Sequence, residues 1–118
     1  MSETREGKAA RFGEHRATIC EAIRTRRLLM FAYKDLLRVA EPHVYGLTSE
    51  GNELLNGWLR PGHSRSTPEG GWRNWRVDEI SNLTILPDGF DGPRPDYDPH
   101  GSRLREVVCS LAVLRAGR

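Results

Sequence analysis

All seven prolines and nine of the twelve glycines of this chain fall between Pro42 and Gly101. Breakers at that density cut the middle of the chain into pieces too short for a helix bundle. They suit short strands joined by local turns. A length of 118 residues sets a prior of one domain, large enough to bury a core without staples. Three Trp, three Tyr and three Phe give that core bulk and argue against disorder.

The chain divides into a polar lead (1–11), a folded body (12–90) and a Pro/Gly/Asp-rich connector with an apolar end (91–118). The lead carries no apolar stretch of the kind a secretory leader needs. No apolar run approaches the length of a membrane helix, so no membrane partner is expected. Cys20 and Cys109 share no metal-ligand or CxxC spacing, and they read as two buried, reduced thiols in a cytoplasmic protein.

Phe12, Ile19, Ala22 and Ile23 recur at helical spacing over Phe12 to Arg26, which predicts a helix. The period then changes. Leu28 to Tyr33 is a continuous apolar strand, Lys34-Asp35 a turn, and Leu36 to Val44 a second strand. Pro42 marks that strand as an edge or a bulge. Further strands are expected at Glu53 to Leu59, Trp72 to Val77 and Ile80 to Leu86, with a loop of breakers from Arg60 to Gly71. Leu104, Val107, Val108, Leu111 and Leu114 fit one helical face, with Ser102 as N-cap and Gly117 beyond the C-terminus, although the Val-rich run also suits a strand. The predicted fold is mainly β (α+β): an N-terminal helix, a five-stranded antiparallel Sm/SH3-like barrel, and a helical or extended tail.

Catalytic patterns are missing. His63 lies beside Ser64 and Ser66, but neighbours in a loop are not a triad. No phosphate-cradling glycine motif occurs, and the four His have no ligand spacing. A binding module rather than an enzyme is expected, with no metal, cofactor or catalytic residue assigned. Sixteen of the eighteen basic residues are Arg, which favours bidentate contacts to anions, although coding bias would give the same excess. Tyr33, Arg38, Trp58, Arg73 and Arg76 fall on neighbouring expected strands. Basic and flat side chains interleaved on a small barrel suit a surface that contacts phosphates and stacks on bases. Trp58 and Trp75 also suit the core. Arg38, Arg73 and Arg76 are expected to repel one another unless an anion balances them.

Three ordered motifs carry a resemblance. Ala22-Ile23-Arg24 closes the helix ahead of Leu29-Met30-Phe31-Ala32-Tyr33. Arg38-Val39-Ala40-Glu41-Pro42-His43 follows, and then Arg73-Asn74-Trp75-Arg76-Val77-Asp78-Glu79-Ile80 with Phe90. From Ile19 to about Phe90 the chain resembles a WYL domain. The tripeptide that names the family falls at Glu53-Leu54-Leu55, so only one Leu is kept; Trp75 stands for a Phe and Glu79 for an Arg. The resemblance implies an Sm-like, SH3-type barrel that acts as a ligand sensor. Its expected ligand is single-stranded nucleic acid or a nucleotide, in transcription regulation or a CRISPR or other defence-associated system. The alternative is a protein–protein interaction module that forms a homodimer or pairs with a regulator protein.

Overall fold

The computed structural model describes residues 11–61, 70–101 and 103–112. Among the described residues, one helix, α1 (Arg16–Thr25), precedes strands β1 (Arg27–Tyr33), β2 (Leu36–Leu47), β3 (Glu53–Leu59), β4 (Gly71–Arg76) and β5 (Ser81–Gly89); a sixth strand, β6 (Glu106–Ser110), follows the connector. The sheet is antiparallel, ordered β4-β3-β2-β1-β5, with β6 paired to β2, and it is not closed. The fold is a small, mainly β, α+β arrangement.

Local chemistry explains most boundaries. Lys34 and Asp35 both take left-handed dihedrals (φ 52° and 64°), the geometry of a two-residue hairpin turn whose twist matches the flanking strands. The helix ends at Arg26, also left-handed (φ 55°), whose N–H returns to the carbonyls of Ala22 and Ile23. It is shorter than the expected Phe12–Arg26: Phe12 lies outside it and is 65% exposed.

Pro42 sits in a central strand, not at an edge. β2 is long and irregular: its first part pairs with β1 and its second with β3 and β6. The register with β3 slips between Pro42 and Val44, so the residue without an N–H falls at a bulge.

Of the two forms expected for the tail, helical or extended, the extended one is present. Residues Glu106–Ser110 form a strand on the Val44–Leu47 stretch of β2. Val107 is exposed, Val108 half-buried, and Leu111 the anchor at 2% exposure. Leu114, Ser102 and Gly117 lie outside the described residues, as does most of the 60–71 loop. The two cysteines are not the reduced thiols expected of them. They form a disulfide, because α1 packs over the sheet beside β6 and brings their Cα atoms to 5.9 Å.

One face of the sheet buries Phe31, Ala40, Leu55, Leu59 and Trp75 beneath Ile19, Ala22 and Ile23 of the helix. Phe31 and Trp75 meet edge to face at 5.3 Å.

Candidate functional site

Strand register distributes the five expected site residues over two faces. Arg38 lies opposite Phe31. Arg73 lies opposite Gly57 and shares its side of β4 with the core residue Trp75. Tyr33, two residues beyond Phe31, is on that side as well. Trp58 pairs with Glu41 and Trp72 and therefore faces the other way. The structure thus gathers Tyr33, Arg38 and Arg73 at one end of the core face and separates Trp58 from them.

Arg38 is the unusual member. It is 8% exposed, and its guanidinium stands 5.8 Å from the centre of the Tyr33 ring. Its Nη2 donates to the Tyr33 carbonyl at 3.2 Å, while its Nε has no hydrogen-bond partner among the described residues. Among the described residues no carboxylate pairs with it. Burial lowers its pKa, the Tyr33 phenol opposes that shift, and the like charge of Arg73 adds to it. Among the described residues Arg73 is held by neutral groups: it donates to the Trp72 carbonyl at 2.8 Å and to that of Gly70 at 3.5 Å.

Arg76 is different. Its backbone N–H donates to the Tyr33 hydroxyl at 3.2 Å, which ties the end of β4 to the end of β1. Its guanidinium bonds Asp78 at 2.7 Å, so its charge is already balanced and its pKa is raised by that carboxylate. The expected three-arginine repulsion reduces to Arg38 and Arg73.

On the opposite face lies a polar cluster that sequence reasoning missed. Glu41, 2% exposed, accepts a bidentate pair from Arg94 (both contacts 2.9 Å), and Arg60 approaches it at 3.3 Å. Arg94 also stacks over Trp58, 4.8 Å from the ring. His43 is fully buried among Trp72, Phe90 and Tyr97. Its Nδ1 bonds the Glu41 carbonyl at 2.8 Å and its Nε2 accepts the Arg94 N–H at 3.1 Å, so the ring is neutral with the proton on Nδ1. Burial pushes the His43 pKa down. Trp72 closes the cluster by donating to the Pro95 carbonyl at 3.0 Å.

These contacts bind the segment from Phe90 to Tyr97 across the outer face of β2, β3 and β4 as a strap. Trp58 is therefore packing for the strap rather than a partner of Arg38. No family model matches the chain, and neither the curated proteins nor the solved structures give a match.

Proposed function

We propose that the chain is a WYL-like sensing module that binds an anionic ligand at Arg38 and Arg73, with Tyr33 beside them. The observation that carries this reading is the buried Arg38 guanidinium, which has no carboxylate partner among the described residues and a second arginine beside it. A cation left in that state costs free energy that a phosphate would return through charge-assisted hydrogen bonds. Single-stranded nucleic acid or a nucleotide supplies such a phosphate and a base for Tyr33 to stack on. An Sm/SH3-type barrel is the matching fold proposal. The order β4-β3-β2-β1-β5 and the single 3₁₀ turn Val77–Glu79 between the two outer strands support it.

Fluorescence anisotropy with a labelled single-stranded oligonucleotide across a salt series tests the site. Two phosphate contacts predict log K falling with log[salt] at a slope of about −1.4. Arg73→Ala should weaken binding and flatten that slope by roughly half. An unlabelled nucleotide that competes would narrow the ligand to the smaller class. Salt-independent or undetectable binding by folded wild type would remove the nucleic-acid reading.

The second reading, self-association or pairing with a regulator, is favoured by the open sheet and by exposed apolar side chains at Leu37 and Val107. Light scattering with and without oligonucleotide separates the two readings.

A further inference from the structure

We propose that the Cys20–Cys109 bond is a site of thiol–disulfide exchange that latches β6. Closed, it holds the last strand on β2; opened by a dithiol, it lets β6 leave while β1 to β5 stay folded.

Three observations converge on this. Both cysteines are half-buried and line an open cavity of about 700 Å³ between α1 and residues Ser110–Ala112, wide enough to admit a small reagent. Arg24 and Arg26 also line it, and cations there favour the thiolate forms that exchange requires, with Glu21 on the rim ion-paired to Arg24. The strand that the bond secures is otherwise lightly held. β6 is five residues long, it is mostly exposed, and its register on β2 is broken between Tyr45 and Gly46. Beyond the short β2–β6 ladder, Leu111 and three hydrogen bonds add anchors: Arg105 N–H to the Leu47 carbonyl, Leu111 N–H to that of His43, and the Tyr97 hydroxyl to that of Leu111.

The bond also lies outside every ladder that builds the rest of the sheet. The β1–β2, β2–β3, β3–β4 and β1–β5 pairings involve neither cysteine. It closes a separation of 89 residues, so its loss frees the chain end from a long covalent loop. The opening is then local, and it uncovers the β2 edge from Val44 to Leu47.

A dithiol serves as the reductant. One thiolate of the dithiol attacks a sulfur of the bond, and the other cysteine leaves as a thiolate. The second thiol then attacks the mixed disulfide. The products are two protein thiols and a cyclic disulfide.

The test uses the full oxidised chain, dithiothreitol without denaturant, thiol counting and hydrogen exchange. The expected result is release of both thiols and exchange in 106–111 faster by about a hundredfold or more, with 54–59 rising far less. A Cys20→Ser/Cys109→Ser variant should show the fast pattern whether or not dithiol is present. Three results would each overturn the proposal: a bond that resists dithiol in the native protein, exchange in 106–111 that ignores reduction, or exchange in 54–59 that rises equally.

Discussion

Arg38 keeps its charge where water is scarce, and the fold offers it a ring, one carbonyl and a like-charged neighbour. Stability alone gives no reason for that choice. Arg38→Met keeps the length of the side chain and removes the desolvated cation, so it should stabilise the ligand-free protein by about 1–2 kcal/mol. In a domain of this size that is a rise of a few degrees in Tm. Ligand binding should vanish in the same variant, and calorimetry with anisotropy reads both. A fall in Tm instead would make Arg38 a structural residue. Arg94 is the opposite case. Arg94→Ala strips the buried Glu41 of its bidentate partner and leaves only the longer contact from Arg60, at a cost of roughly 3–5 kcal/mol by denaturant unfolding. Arg94→Lys should recover only part of this, since an ammonium cannot supply the planar pair. Residue identity made Arg38 and Arg73 legible, because cations near apolar strands stand out. It hid the Glu41–Arg94 pair, whose partners are 53 positions apart and belong to segments with different signals.

At the scale of elements, the strap and β2 behave as one unit through His43. The imidazole must be neutral to accept the Arg94 N–H, and burial keeps its folded pKa below the ordinary value of 6.5. Between the two values the unfolded chain binds more protons than the folded one, so stability rises with pH there. The contribution is complete above 6.5 and is lost as pH falls from that value towards the folded pKa. Urea midpoints measured from about pH 7.5 to 5.5 should therefore decline with acidification, and His43→Gln should flatten the decline. Fluorescence of Trp72, which touches His43 edge-on at 4.8 Å, should report release of the strap over the same range. An unchanged slope in the variant would place the pH dependence on other groups. The first five strands were readable because apolar runs alternate with Gly, Asn, Asp and Pro turns, and Lys34-Asp35 is a hairpin turn in the sequence as in the fold. The tail was not. Val107, Val108 and Leu111 satisfy helical spacing, and only the open stretch Val44–Leu47 of β2, a tertiary feature, makes them a strand.

For the whole molecule, the last strand decides whether the sheet ends in protein or in an exposed edge. β6 rides directly on Gly46: a Cβ there would collide with the Glu106 carbonyl oxygen and with Leu104. The contact works only because β2 carries a glycine at that point. Gly46→Ala should push β6 away and imitate its loss. Truncation after Gly101 is the complete version. It removes the Leu111 anchor and one half of the disulfide, so stability should fall by roughly 3–5 kcal/mol. Against the 5–15 kcal/mol of an ordinary domain, most of the truncated chain remains folded only if its starting stability is in the upper part of that range. Folded truncated protein would present the unpaired N–H and C=O groups of Val44 to Leu47, an edge that invites another strand. Light scattering should then show stronger self-association than the full chain at the same concentration. Leu111→Ala keeps β6 and the disulfide but removes the apolar anchor, and it separates the two causes. It should lower the denaturation midpoint while the chain keeps its original molecular mass. If the truncated chain is as stable and as dispersed as the full one, β6 is an ornament of the sheet. The second cysteine would then serve no purpose in the native fold.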